Sequence, residues 1–210
     1  MLNEDVMSVL RDDMLIDITH LFSKINSASM CPYSSDCFGC LARFVLSLNK
    51  VNASEAINDI AFQVSESVPN SEFKGFIDSM RHAFISFSKG GMRDLFEYQE
   101  NQVWYPRILL KEVITPNDIH TLDSVITLYR GCDQSEYISK AFGQSWSTSE
   151  EVAREFAFTH YSSQNWFDSG SRCLLTAKID RDHVYYSNQR KHEREVVVDT
   201  EKLRDLEICA

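Results

Sequence analysis

Three polar pieces in the last third of the sequence carry residue types that could do chemistry together. Arg130 ends a β-branched run and precedes Gly131, so its planar, permanently charged guanidinium could project into a cleft and suit a pyrophosphate. Ser147 opens a Ser-Thr-Ser triplet. Glu193 and Glu195 are one residue apart, which in a strand places both carboxylates on one face. Like charges side by side repel each other, so the presence of this pair indicates a functional role.

Each piece also has a structural explanation. An isolated arginine such as Arg130 is more often a partner in a surface ion pair. The serine triplet precedes Glu150 and an amphipathic segment, as an ordinary helix N-cap does. The two glutamates could be solvated acids on an edge strand. The chemical interpretation therefore depends on the three pieces occurring together.

Strands and one good helix are expected to position these side chains. Short β-branched, aromatic or alternating runs, typical of strands, occupy residues 125–130, 173–179, 183–186 and 196–199. A helix is predicted over 149–158. Another is predicted over 118–124, after the cap-then-proline pattern that begins at Thr115.

The first half of the sequence has a helical pattern. Apolar residues recur at intervals of three and four, which predicts two helices between Glu4 and Lys50 with a loop over 26–39. Further helices are predicted over 54–66 and 71–88, the last ending at Lys89-Gly90-Gly91. We therefore expect an α+β protein in which a mainly helical region, 1–114, packs on a β-rich region, 115–210, as one unit.

In this order and on these elements, the arginine, serine and glutamate pieces resemble the R-S-E pattern of ADP-ribosyltransferases. This clan includes binary clostridial toxins, phage-encoded enzymes and toxins of toxin–antitoxin or phage-defence systems. The resemblance covers about residues 115–205 and implies a two-sheet catalytic core that uses NAD as its substrate. The sequence has neither G-x-G-x-x-G nor G-K-[ST], so NAD would bind in a transferase cleft.

The resemblance implies a role for each residue. Glu195 would hydrogen-bond the 2′-hydroxyl of the nicotinamide ribose and stabilise the cation that forms as nicotinamide leaves. Glu193 would orient or deprotonate the acceptor, and Ser147 would hydrogen-bond the catalytic carboxylate. A loop over 159–171 would close over NAD. The expected NAD contacts are Arg130, Gly131, Ser147, Thr148, Trp166 and Phe167.

The acceptor is less well specified by the pattern. In the family, a glutamate two positions before the catalytic one accompanies arginine modification, so a protein arginine is the first candidate and an RNA or DNA base the second. The segment 187–192 corresponds to the acceptor-selecting loop and is basic. An antitoxin or chaperone is expected if the protein acts on its own cell. NAD hydrolysis at the same site, or a catalytically silent binding module, are the alternatives.

Composition limits the other classes of partner. The 210 residues carry a net charge of -10, which argues against broad adhesion to nucleic acid or anionic lipid. The N-terminus lacks the pattern of a secretory signal, and no stretch approaches the roughly 18 apolar residues that a membrane span needs. We therefore expect a cytoplasmic protein without membrane contact.

The six cysteines are expected to be reduced thiols, because a chain of this length does not need a disulfide framework. Cys31, Cys37 and Cys40 could form a zinc site with His20 as the fourth ligand. Only Cys37 and Cys40 form a short ligand pair, however, so buried thiols are favoured and no metal is expected.

Overall fold

A computed structural model describes residues 2–99, 105–164 and 167–209. These residues form seven α-helices and one six-stranded antiparallel sheet. The expected mixture of helices and strands is therefore confirmed. The chain divides into two compact units, 1–109 and 110–210. The domain boundary expected between 114 and 115 stays a prediction.

The first unit is helical among its described residues. Its helices are α1 (Glu4–Ser8), α2 (Ile18–Ile25), α3 (Ser34–Leu48), α4 (Ala53–Ser67) and α5 (Ser71–Glu97). A side-chain oxygen accepts a hydrogen bond from a first-turn N–H at the start of α1, α2 and α5, and these N-caps are Asn3, Asp17 and Asn70. Four fully buried aromatic side chains form much of the core: Phe44, Phe73, Phe76 and Phe84.

The predicted helices over 54–66 and 71–88 are confirmed as α4 and α5. The expected stop at the glycine pair is also present, because α5 has non-helical backbone at Gly90 and Gly91 before a last helical segment. The predicted loop over 26–39 is wrong in its second half, since α3 begins at Ser34. Burial of two cysteines, Cys37 and Cys40, offsets the low helix propensity of Gly39 between them. The first predicted helix is also divided, with a π-helical turn over Val9–Asp13 between α1 and α2.

The second unit contains the sheet. Its strands are β1 (Val125–Asp133), β2 (Ser145–Ser147), β3 (Arg172–Asp180), β4 (Val184–Asn188), β5 (Glu195–Val198) and β6 (Arg204–Ile208). They lie in the order β4-β5-β2-β1-β3-β6. Two helices, α6 (Gln134–Ser139) and α7 (Glu150–Phe158), lie in the same unit. Alternate apolar residues of five strands form a buried core on one face of the sheet.

Four strands and α7 agree with the sequence prediction, whereas the apolar pattern predicts none of β2, β6 and α6. The helix predicted over 118–124 is wrong, because only a 3-10 turn forms there, over Ile119–Thr121. The side-chain oxygen of Asn117 accepts a hydrogen bond from the N–H of Ile119 at 3.0 Å. Such local bonds compete with a continuing helix.

The strand pairing within the sheet is shortest between β1 and β2. These strands are paired at one position, Tyr129 opposite Ser147, whereas β1 and β3 are paired along the whole of β1. The six strands nevertheless form one sheet, so the expected division into two sheets is not confirmed among the described residues. We call the Tyr129–Ser147 position the seam.

None of the helices in the described ranges, 2–99, 105–164 and 167–209, combines the length and the apolar character that crossing a bilayer requires.

Candidate functional site

Arg130 is held in a fixed orientation by an ion pair and a backbone contact. Its Nε donates to Oε2 of Glu136 on α6 at 3.0 Å, and its Nη2 donates to the same carboxylate at 2.9 and 3.1 Å. Its Nη1 donates to the carbonyl oxygen of Ser145 at 2.7 Å. The Arg130 and Glu136 side chains are 20% and 26% exposed, so the pair is partly shielded from solvent. The ion pair anticipated as the structural explanation is therefore present.

A glycine makes room for this guanidinium. A Cβ atom at Gly143 would lie 2.5 Å from Nη2 of Arg130, so no other residue fits there without displacement of the arginine. The N–H of Gly143 donates to Oε2 of Glu136 at 3.2 Å. The segment before β2 therefore contacts both members of the ion pair.

Glu195 is the first residue of β5 and is half-buried. The hydroxyl of Ser145 donates to its Oε1 at 2.5 Å. Burial raises the pKa of Glu195, the Ser145 hydrogen bond lowers it, the negative charge of Glu193 raises it and the positive charge of Lys191 lowers it; the net direction is upward. The carboxylate is thus partly shielded from solvent and held by a hydroxyl.

Ser145 connects these two groups. Its carbonyl oxygen accepts from Arg130, and its hydroxyl donates to Glu195. The alternation of β2 places Ser145 and Ser147 on one face, while Trp146 is buried on the other. Sequence reasoning missed Ser145, although the polar–apolar–polar order of Ser145-Trp146-Ser147 indicates this arrangement.

Ser147 lies directly opposite Glu195 in the β2–β5 pairing but makes other hydrogen bonds. Its hydroxyl donates to the carbonyl oxygen of Glu193 at 2.8 Å and accepts from the N–H of Ser149 at 3.0 Å. The hydrogen bond to the Glu195 carboxylate that was expected from Ser147 is therefore made by Ser145. Ser147 instead ties the turn before β5 to the start of α7, whose N-cap is Ser149.

Glu193 is exposed and lies in a turn, so the expectation that it shares a strand with Glu195 is wrong. Arg194 between them has a φ of 44°, a left-handed conformation that interrupts extended backbone. The charge of Glu193 still raises the pKa of Glu195.

Gln189 fixes this turn to the sheet. Thr148 donates from Oγ1 to the Gln189 side-chain oxygen at 2.6 Å. The Gln189 Nε2 lies 3.3 Å from the carbonyl oxygens of both Arg194 and Glu195. The backbone N–H of Gln189 donates to Asp118 at 2.7 Å. Thr148, an expected NAD contact, thus has a structural partner here.

Gly131 allows β1 and α7 to approach closely. A Cβ atom at this position would lie 2.3 Å from the carbonyl oxygen of Ala153 and 2.3 Å from the nitrogen of Ala157. The absence of a side chain is therefore required by packing. Its expected contact with NAD stays a prediction.

Two aromatic residues, Trp166 and Phe167, are expected to close over NAD. Trp166 lies outside the described residues. The ring of Phe167 lies 5.9 Å from the guanidinium carbon of Arg172. Arg172 donates to the carbonyl oxygens of Phe156 and Ala157, which places Phe167 beside the end of α7.

The cysteines of the first unit are thiols. Cys37 and Cys40 are buried and Cys31 is exposed. Burial raises the pKa of Cys37 and of Cys40 to about 12, so both are protonated thiols at neutral pH. Among the residues that the structure describes, no group of three or more potential metal-binding side chains is assembled.

The second unit thus brings together a fixed cation, Arg130, and a half-buried acid, Glu195, through one serine. Such a pair can bind a phosphate-bearing substrate and stabilise developing positive charge. No protein-family model, curated protein or solved structure matches the chain. Any functional conclusion therefore depends on these residues and their geometry.

Proposed function

We propose that this protein is an NAD-dependent mono-ADP-ribosyltransferase. The observation that carries the proposal is the double role of Ser145, which hydrogen-bonds both Arg130 and Glu195. These two residues are 65 positions apart in the sequence. The resemblance requires them to lie in one site, and a distant placement of Glu195 would have contradicted it.

The sheet offers a second line of support. The seam separates a three-stranded group, β4-β5-β2, from another, β1-β3-β6, and a single residue pair joins them. Two small sheets facing a common site are what the resemblance implies. We therefore propose that the two groups correspond to the two sheets of an ADP-ribosyltransferase core.

Arg130 is proposed to bind the pyrophosphate of NAD. A guanidinium has five N–H donors, and the four contacts with Glu136 and Ser145 leave one donor, on Nη1, for an anion. Because Glu136 and Gly143 restrict its movement, the arginine needs little reorganisation to bind an anion. Gly131, Thr148, Trp166 and Phe167 remain proposed NAD contacts.

Glu195 is proposed to act on the nicotinamide ribose. The bond between the nicotinamide nitrogen and C1′ breaks, the electron pair leaves with nicotinamide, and the ribose acquires positive charge. A carboxylate held close to the 2′-hydroxyl would stabilise this cation, more effectively in a partly desolvated site than in water. Ionised Glu195 is the active form in this scheme.

Glu193 is proposed to serve the acceptor. It is exposed and lies next to the basic residues Arg190, Lys191 and Arg194. In the transfer step, an acceptor nucleophile would form the new bond to C1′ and lose its proton to Glu193. A protein arginine is the first candidate acceptor, and an RNA or DNA base is the second. A cytoplasmic toxin or phage-defence effector, with an antitoxin or chaperone, would suit this activity.

The test is incubation of wild-type protein, Glu195→Gln and the control Glu207→Gln with radiolabelled NAD and a whole-cell lysate. Glu207 is an exposed glutamate on β6, so its substitution changes the same charge away from the site. We expect label transfer from wild type and control, and a loss of about a hundredfold or more in Glu195→Gln. Equal labelling by all three would contradict the proposal.

Protease and nuclease digestion of the labelled product then identifies the acceptor class. Release of free nicotinamide without labelled acceptor would indicate NAD hydrolysis instead. Replacement of Glu193 by Gln should abolish transfer but spare hydrolysis, because Glu193 is proposed to take the proton of the macromolecular acceptor, whereas an attacking water can lose its proton to solvent. Equal loss of both activities would contradict this division of roles. No turnover of any kind would favour a silent binding module.

A further inference from the structure

We propose that Ser145 is a positioning residue of the active site, which orients the Glu195 carboxylate against NAD and sets its distance from Arg130. The inference rests on the proposed function. It differs from what the serine triplet predicts, because the triplet begins at Ser147 and Ser145 lies before it.

The contact with Glu195 is a charge-assisted hydrogen bond. The Ser145 hydroxyl oxygen lies 2.5 Å from Oε1 of Glu195, at the short end of the range for a hydroxyl bonded to a carboxylate. Ser145 pairs with Val197 and Ser147 with Glu195, so Ser145 reaches the carboxylate diagonally across two adjacent strands. This bond fixes Oε1 of Glu195, and Oε2 would then be the oxygen that faces the substrate.

The contact with Arg130 uses a different part of the same residue. It is made by the backbone carbonyl oxygen, at 2.7 Å. Any residue at position 145 would retain this carbonyl group. Ser145→Ala therefore removes the hydrogen bond to Glu195 and leaves the acceptor for Arg130 in place.

Ser147 forms hydrogen bonds with other partners. Its hydroxyl donates to a backbone carbonyl oxygen and accepts from a backbone N–H, and the side chain is buried. Ser147→Ala would therefore weaken the turn before β5 and the start of α7. It would not directly remove a partner from the Glu195 carboxylate.

The experiment measures nicotinamide release from NAD as a function of pH. It compares wild type with Ser145→Ala, Ser145→Thr, Ser147→Ala and Ser71→Ala, the last a control at an exposed serine of α5. For Ser145→Ala we expect kcat to fall about ten- to a hundredfold with little change in KM. The acid limb of the kcat–pH profile should move to higher pH, because the lost hydrogen bond favoured the ionised form of the Glu195 carboxyl group. Ser145→Thr should restore much of the rate, since it retains a hydroxyl.

Two results would overturn the inference while leaving the proposed function intact. One is a wild-type rate and pH profile for Ser145→Ala when Glu195→Gln is inactive. The other is a shifted acid limb in Ser147→Ala but not in Ser145→Ala. Normal nicotinamide release by Glu195→Gln would instead contradict the proposed function.

A second measurement is independent of turnover. Carbon NMR titration of the Glu195 carboxyl group should give a higher pKa in Ser145→Ala than in wild type, and an unchanged pKa in Ser71→Ala. An unchanged pKa in Ser145→Ala would overturn the inference even if the wild-type protein did not consume NAD.

Discussion

At Glu195, burial and hydrogen bonding act in opposite directions on one carboxyl group. Burial dominates and raises the pKa above its ordinary value of 4.5. Between that value and the raised one, the folded protein binds more protons than the unfolded chain does. The free energy of unfolding therefore falls as the pH rises through this window. An acid that must be ionised for catalysis thus destabilises the fold at the pH where it works.

We therefore expect Glu195→Gln to be more stable than wild type at neutral pH. The difference in the free energy of unfolding should shrink as the pH falls towards 4.5 and stay constant below it, where the wild-type carboxyl group is protonated in both states. Urea denaturation at several pH values measures it. The exposed control Glu207→Gln should show no such trend, and a stability difference independent of pH would contradict the expectation.

At the same scale, the sequence predicts which residues belong together but not all of their contacts. Arg130 and Glu195 both form a hydrogen bond with Ser145. Alternation along a strand places Ser145 and Ser147 on the same face, and only three-dimensional geometry decides which hydroxyl reaches the acid. Glu193 could not be placed from spacing alone, because the left-handed conformation of Arg194 depends on the turn that Gln189 holds.

At the scale of elements, the close contact between β1 and α7 requires a glycine at position 131. The backbone of α7 lies where a Cβ atom of residue 131 would be. Since Arg130 precedes this position and α7 begins after the serine triplet, the contact connects two parts of the candidate site.

We expect Gly131→Ala to lower the free energy of unfolding by about 1–3 kcal/mol, because backbone atoms of α7 cannot move aside as a flexible side chain could. Chemical denaturation measures the loss. A matched control is Gly39→Ala in α3, where an added Cβ meets nothing within 4 Å. That substitution should be neutral or stabilising by up to about 1 kcal/mol. Equal stability of the two variants would contradict the role assigned to Gly131.

The elements that the sequence predicts well are those with a clear period or cap. The helix α4 and strands β1 and β3 have long apolar patterns, and α7 has both a serine cap and an apolar face. The strand β2 has three residues, too few to show a period. Strand β6 is exposed along most of its length, so it lacks the buried alternation that identifies a strand.

At the scale of the whole molecule, the candidate site belongs to one unit. The hydrogen-bond partners described above for Arg130, Ser145 and Glu195 all lie within residues 110–210. The side chain of Gln144 bonds both the N–H and the carbonyl oxygen of Leu110, each at 2.8 Å. The first residue of this unit is thus fixed beside β2.

We expect a fragment of residues 105–210 to fold and to retain NAD consumption that depends on Glu195. Circular dichroism measures the folding of the fragment, and nicotinamide release measures its NAD consumption. Both are compared with the full chain and with Glu195→Gln in the same fragment. A folded but inactive fragment, beside an active full chain, would mean that the helical unit contributes to the site. An unfolded fragment would mean that the helical unit is needed for stability.

The seam has a consequence for motion. Strands joined by one residue pair share little hydrogen bonding, so the groups on either side of Tyr129 and Ser147 can open without breaking each other's ladders. Amide hydrogen exchange should therefore report two cooperative units in this sheet, β1-β3 with slow exchange and β4-β5-β2 with faster exchange. Arg130 and Glu195 lie on opposite sides of that boundary. The distance between them would then fluctuate with each opening, and a bound substrate that contacts both would slow the exchange of β2.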